Sequence, residues 1–299
     1  MAFSSSAADF SNAELGPRVE ALFAGNHDLA EVKLTIDRMT DPSVNVAVGL
    51  REIGRIEGDL DRMAAGETGS MAKLAMLKRY VYEAGPWSGN KPFQYDMADP
   101  TGQQPENRLL TDYLADRRGN CISMPILFMI LGQHIGLKMT IAEAPLHMFV
   151  KFTDDDGKEW NVETTSGGGF ARDSYYREIT PMSDQAVASG IYLRGLSREE
   201  TIGMLGSELV DHFLRNGRFE DAIVTADVIL RHSPKSAYVM VKRGTAYAAI
   251  LRRDIVSKYK NMSEMDPETK AYADRIYQAN LADFAAAEAL GWREQDGQL

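Results

Sequence analysis

The chain is short of the residues from which several protein classes are built. Among 299 residues there is a single cysteine, Cys121, so no disulfide can close within the chain and a disulfide-framework fold is excluded. No stretch nears the roughly 18 consecutive apolar residues that a membrane span needs. The longest apolar run lies near Ile122–Ile130 and is too short. Basic residues are outnumbered, with 33 Lys+Arg against 43 Asp+Glu and a formal net charge of -10. An acidic chain has no broad electrostatic footprint for phosphate backbones, so nucleic acid is not an expected partner. His27, His134, His212 and His232 are scattered without metal-ligand spacing, and one cysteine cannot build a thiolate zinc centre. Gly167–Gly169 lacks the Lys-Ser/Thr of a phosphate loop and reads as a turn. No cofactor is expected. The first residues lack the basic and apolar regions of a signal peptide. A cytoplasmic location without membrane association is the expectation.

What remains is an ordinary globular composition, 44% hydrophobic and 25% charged. The length suits one large or two modest domains. Ala2–Ser11 is small and polar and is expected to fray. Apolar residues at three- and four-residue spacing then predict helices over about Ala13–Phe23, His27–Met39, Val44–Met63 and Lys73–Tyr82. Gly85–Pro105, with four prolines and three glycines, predicts a long ordered loop. Its Trp87, Phe93 and Tyr95 are expected either to wall a cleft or to plug a core. A short helix is expected over Asn107–Asp116. The almost wholly apolar Ile122–Gly132 reads as a buried central helix, with Pro125 in its first turn. Strands are expected at His147–Thr153 and Lys158–Thr165.

Cys121 follows Gly119-Asn120 and immediately precedes the apolar helix. At a helix N-terminus, free N–H groups and the positive end of the dipole favour the thiolate, which is the reactive form. The same N–H groups can stabilise an oxyanion. Alternatively, Cys121 is a small buried hydrophobe, the usual fate of a free cysteine.

The hairpin adds two more groups. Its turn is Asp154-Asp155-Asp156-Gly157-Lys158, and a three-residue loop with Gly157 in the left-handed position is a standard connection. That register sets Phe149 opposite Glu163. Alternation then gives one apolar face, with Met148, Val150, Phe152, Trp160, Val162 and Thr164. The other face carries His147, Phe149, Lys151, Glu159, Asn161, Glu163 and Thr165. His147 and Glu163 become diagonal neighbours within reach of each other. A one-residue slip would split Trp160 and Val162 from Val150 and Phe152. The Asp154–Asp156 tip is expected to be solvated. If this second face lies against the start of the central helix, Cys121, His147 and Glu163 form a Cys–His–acid triad.

At the C-terminal end, Leu209, Phe213, Gly217, Phe219, Ala222 and Pro234 sit at the offsets of one tetratricopeptide unit. A second, degenerate unit is suggested from Ala237 with Tyr247, resuming near Leu281–Leu290.

Four segments carry a family resemblance: LKRYVYEAGPWSGNKPFQYD, LLTDYLADRRGNCISMPILFMILGQHIGL, APLHMFVKF and WNVETTSGG. The chain resembles the transglutaminase-like core of SirB-type proteins over about Leu29 to Gly195. The C-terminal tetratricopeptide-like segment is also typical of that group. The resemblance implies an α+β, papain-like fold. Residues 1–78 would be a helical N-terminal region, 79–196 the transglutaminase-like core and 197–299 a tetratricopeptide-like helical region. It implies Cys121 as nucleophile, His147 as general base and acid, and Glu163 as the orienting group. Glu163 stands where such sequences more often have Asp, one methylene shorter. Many SirB-type members lack the cysteine; this sequence keeps it. For the oxyanion, the Cys121 N–H is one expected donor, with Trp87, Gln94 or Asn107 as a second.

Two readings follow. One is a thiol acyl-transfer protein, a cysteine protease or amidase with water as acceptor or a transglutaminase with an amine, acting on a protein or peptide. The other is a non-enzymatic interaction or scaffold protein whose transglutaminase-like domain is degenerate.

Overall fold

Capping and turn chemistry set the element boundaries as much as hydrophobic spacing does. The computed structural model describes residues 12–25 and 27–294; the frayed segment expected at Ala2–Ser11 lies outside them. The chain forms two compact units, one of Asp28–Ser197 and one that joins the first helix to Arg198–Trp292.

The Asp28–Ser197 unit opens with α2 (Leu29–Thr40), which follows the first helix α1 (Asn12–Phe23) in the chain. Asp28 caps α2 by accepting the Ala30 N–H at 2.8 Å, and Asn45 caps α3 (Val46–Met63) by accepting that of Val48 at 3.2 Å. Helix α4 (Ser70–Tyr82) has Gly69 at its N-cap and no capping side chain from its own segment. Its cap comes from the hairpin tip. Asp155 Oδ2 accepts the Ser70 N–H at 2.7 Å, and Ser70 Oγ accepts the Asp155 N–H at 3.1 Å. The tip is exposed at Asp155 and Asp156, as expected of a solvated turn, and is anchored as well. Asp154 is buried and accepts the Trp160 indole N–H at 2.8 Å.

The long loop Gly85–Pro105 contains a 3₁₀ turn and the two-residue strand β1 (Gln94–Tyr95). After α5 (Leu110–Asp116), β1 pairs in parallel with β2 (Arg118–Gly119). This pairing fixes the loop beside Asn120 and Cys121. Phe93 plugs the core and meets Tyr113 edge-on, at 5.1 Å between centroids. At Gly119 a Cβ would stand 2.5 Å from Tyr113 and 2.6 Å from Met124, so only glycine lets β2 pass between them.

Helix α6 (Ser123–His134) is buried from Ser123 through Gly132, as its all-round apolarity predicts. It packs against the first two strands of a four-stranded antiparallel sheet whose strands lie in chain order. These are β3 (Lys138–Ala144), β4 (His147–Thr153), β5 (Glu159–Glu163) and β6 (Gly169–Ala171). The β4–β5 register is Val150 to Val162 and Phe152 to Trp160, as the turn chemistry predicts. Gly157 takes φ +79° and Asp154 N–H donates to Lys158 O at 3.0 Å.

The face that carries His147, Phe149 and Lys151 is covered as well: Phe149 is fully buried, and Lys151 and Asn161 are nearly so. The cause lies further along the chain. Helix α7 (Asp173–Ile179) stacks Tyr176 on Phe149 at 4.0 Å, and Leu193 joins the same cluster. After α8 (Asp184–Ser189), Leu193 and Leu196 donate their N–H groups to Glu143 O and Ile141 O along the β3 edge.

The second unit is all-helical. α9 (Arg198–Arg215), α10 (Phe219–His232), α11 (Ala237–Leu251) and α12 (Pro267–Ala289) pack in sequence, each on its predecessor. α1 packs on α10, where Phe23 stacks on His232 at 4.1 Å and Glu20 meets His232 at 2.6 Å. A π-helical turn (Arg252–Val256) and a 3₁₀ turn (Met262–Glu264) lie between α11 and α12. Among the described residues, no helix is long and apolar enough to cross a membrane.

Candidate active site around Cys121

Cys121 stands two residues before α6, and Asn120 holds it there. The buried Asn120 Oδ1 accepts the N–H groups of Ile122 and Ser123, each at 3.0 Å, and so caps the helix. Its Nδ2 donates to Asn107 O at 2.8 Å. Asn107 in turn donates to Asp99 Oδ2 at 2.8 Å. The Cys121 side chain is buried, 3% exposed, with Sγ 3.7 Å from Leu146 O. Leu146 takes φ +58° in the Pro145-Leu146 turn between β3 and β4, a left-handed conformation that is costly for a side chain bearing a Cβ. That turn delivers His147.

His147 is the first residue of β4 and Glu163 the last of β5. His147 Nε2 and Glu163 Oε2 are 2.7 Å apart. This contact leaves Nδ1 as the imidazole nitrogen not engaged by Glu163, and Cys121 lies near enough to the ring to affect its titration. Burial pulls the imidazole pKa down. The contact with Glu163 and the nearness of Cys121 override burial and raise it to about 9. Burial likewise opposes charge on Glu163, which is 5% exposed. Contacts from His147 and Thr165 win there and hold the carboxyl below its usual range. Glu163 Oε1 accepts the Thr165 N–H at 3.0 Å and the Thr165 hydroxyl at 2.6 Å. The Tyr176 hydroxyl donates to Oε2 at 3.2 Å. The longer glutamate thus spans to His147 while both of its oxygens are fixed.

The structure joins His147 to Glu163 and sets Cys121 Sγ against the carbonyl of Leu146, the residue before His147. Of the candidate second oxyanion donors, Gln94 is exposed, the Asn107 amide donates to Asp99, and the Trp87 Nε1 is buried without a hydrogen-bond partner. The Cys121 N–H is engaged as well, donating to Pro100 O at 3.1 Å. Tyr176 carries no site signal in the sequence, because its role comes from α7 folding back over β4. Glu163 also borders a cleft of about 380 Å³, lined by Ser166, Phe170, Arg172, Tyr175 and Glu178 among others. Among the described residues, no group of three or more His, Cys, Asp and Glu side chains is arranged to hold a metal ion.

A nucleophilic thiol, an imidazole and a carboxylate so arranged can pass a proton between sulfur and a leaving group. The family comparison agrees with that class. The model of the transglutaminase-like superfamily matches residues 49–203, just over half of the chain. The chain belongs to the transglutaminase-like superfamily. No curated protein and no solved structure matches it significantly.

Proposed function

We propose that this protein is a thiol acyl-transfer enzyme with a Cys121–His147–Glu163 triad. The observation that carries the reading is the fixed 2.7 Å contact between His147 and Glu163 beside a cysteine at the head of a buried helix. His147 takes the Cys121 proton, and the thiolate forms a bond to the carbonyl carbon of an amide or ester. When the resulting tetrahedral intermediate collapses, the C–N or C–O bond breaks, and His147 returns the proton to the leaving amine or alcohol. The acyl group then rests on Cys121 as a thioester. Water releases it as an acid; an amine carries it off as a new amide. Glu163 holds the imidazole in one tautomer and offsets its charge.

The substrate in this reading is a protein or peptide. The cleft beside Glu163 supports it: Phe170 and Tyr175, both exposed, offer aromatic surface next to Arg172. The quoted sequence segments support a SirB-type grouping. The in-sequence packing of α9 to α12 supports a tetratricopeptide-like C-terminal region. A cytoplasmic location, with neither nucleic acid nor membrane as partner, fits the acidic charge and the single cysteine.

The test uses p-nitrophenyl acetate as acyl donor. The expected result is a burst of p-nitrophenolate with acetyl on Cys121, lost in Cys121→Ala and slowed about 10²-fold or more in His147→Ala. Faster turnover on adding methylamine identifies an amine acceptor; unchanged turnover identifies water. Acetylation of the native protein no faster than that of the denatured chain overturns the reading.

A further inference from the structure

The loop that leads into the site offers one of its own carbonyl groups to the nucleophile's surroundings. Pro100 O accepts two hydrogen bonds, one from the Cys121 backbone N–H at 3.1 Å and one from the Tyr95 hydroxyl at 3.1 Å. Two donors converging on one carbonyl oxygen, one of them the nucleophile's own N–H, is the arrangement an oxyanion hole requires.

Both donors are fixed by structure rather than by chance contact. Tyr95 is held by the β1–β2 pairing, opposite Gly119, and the next residue, Asp96, donates its N–H to Gly119 O at 2.7 Å. Asn120 caps α6 and fixes the peptide that carries the Cys121 N–H. Tyr95 is half-buried, and burial, reinforced by the Glu163 carboxylate, raises its hydroxyl pKa above the usual tyrosine range. It therefore stays protonated and remains a donor.

The carbonyl itself is on a strap tied at Asp99 and at Gly102, whose carbonyl accepts from Arg108 Nε. Asp99, immediately before Pro100, accepts the Gln103 N–H at 2.7 Å, the Gln104 N–H at 3.0 Å and the Asn107 side-chain N–H at 2.8 Å. Gly102 presses on Asn120: with φ +63°, a Cβ there would come within 2.8 Å of the Asn120 amide. Met97, on the same strap, is 79% exposed, so its outer side is not packed.

We infer that Tyr95 is the second oxyanion donor of this site, and that the Pro100 carbonyl occupies the oxyanion hole as an internal surrogate that withdraws when a substrate carbonyl enters. The inference rests on the acyl-transfer reading and adds to it the donor and the resting state. The hole is satisfied at rest, so neither the Cys121 N–H nor the Tyr95 hydroxyl is stranded in a buried setting. A substrate must exchange its own oxygen for that of Pro100, so loop release becomes part of the reaction.

Two probes of the one thiol separate the claims, each followed by intact mass on the full chain. Iodoacetamide alkylates sulfur by displacement and generates no oxyanion. p-Nitrophenyl acetate acylates it through a tetrahedral oxyanion. Tyr95→Phe is expected to slow acetylation by about 10²-fold while alkylation stays within about twofold. Asp99→Ala, which removes three of the hydrogen bonds that hold the strap, is expected to raise the acetylation rate, and Asp99→Ala combined with Tyr95→Phe to cancel that rise. A gain in rate does not arise from a damaged fold provided the variant still differs from the denatured chain. Equal loss of both reactions in Tyr95→Phe, or loss of neither, overturns the assignment of Tyr95. Acetylation in Asp99→Ala that is no faster than in the native protein overturns the role of Pro100. If His147→Ala reacts with both probes as the native protein does, the acyl-transfer reading itself falls and takes this inference with it.

Discussion

His147 Nε2 lies 2.7 Å from Glu163 Oε2, and the two residues reach each other from the near ends of adjacent strands. The pair engages Nε2 and leaves Nδ1 as the other ring nitrogen, and it gives the imidazole an unusually high affinity for its proton.

That affinity has a sign in stability. The folded-state pKa of His147, about 9, lies above the unfolded value of about 6.5. The folded protein therefore holds the proton more tightly. The stabilisation is fully present below about pH 6.5 and is lost as pH rises through about 9, an effect on the order of 3 kcal/mol. Urea unfolding from pH 6 to 10 should show this decline, flattened in His147→Ala. Imidazole NMR should show the midpoint near 9 in the native protein and lower in Glu163→Gln. Equal midpoints in the two proteins would contradict the pairing.

Asp155 caps a helix to which it is not adjacent in sequence. Asp155→Ala removes the acceptor of the Ser70 N–H and the negative charge at the start of α4. The expected loss is about 1 kcal/mol. Ser70→Ala should cost a similar amount, and the double variant less than the sum. Strict additivity in urea unfolding would show that the two residues do not act as a pair.

Lys33 and Asp37 form a fully buried ion pair at 2.6 Å on α2. Lys33 Nζ also donates to Arg108 O at 2.9 Å, and Asp37 Oδ2 accepts the Leu110 N–H at 2.9 Å. The pair thus ties α2 to the segment leading into α5. Asp37→Ala leaves a buried ammonium uncompensated, and about 3–5 kcal/mol should be lost. Lys33→Met with Asp37→Leu should recover much of it, as judged by the urea midpoint.

Asn120 positions the nucleophile. Asn120→Ala deletes the cap on Ile122 and Ser123 and the link to Asn107. The predicted cost is about 1–2 kcal/mol. Iodoacetamide labelling of Cys121 should slow as well, because the thiol is no longer held toward His147. Unchanged labelling in a destabilised variant would confine Asn120 to a structural role.

The parts of the site legible in the sequence are those that obey local rules. Gly157 in a three-residue turn sets the β4–β5 register, and the register alone brings His147 beside Glu163. The apolar run after Cys121 makes α6 a buried helix, and proline in its first turn is compatible with it. What local rules do not carry is how distant segments cover one another. Alternation puts Phe149 on the face of His147 and Glu163 but does not say what covers it, which is Tyr176 from α7. Strand β3 hides in its pattern because Ala142, on the face shared with Phe149, is small rather than polar and is buried with it. The Pro100 carbonyl has no side-chain signature at all, so its two hydrogen bonds emerge only when the loop is folded.

The most direct measurement exploits the single thiol. Iodoacetamide alkylation of Cys121 is followed at neutral pH in the native protein, in His147→Ala, in Glu163→Gln and in the denatured chain. The predicted order is native fastest, Glu163→Gln intermediate and His147→Ala slowest, with native at least about tenfold above His147→Ala. Equal rates in native protein and His147→Ala, or a native rate below that of the denatured chain, would contradict a thiol activated by His147 and Glu163.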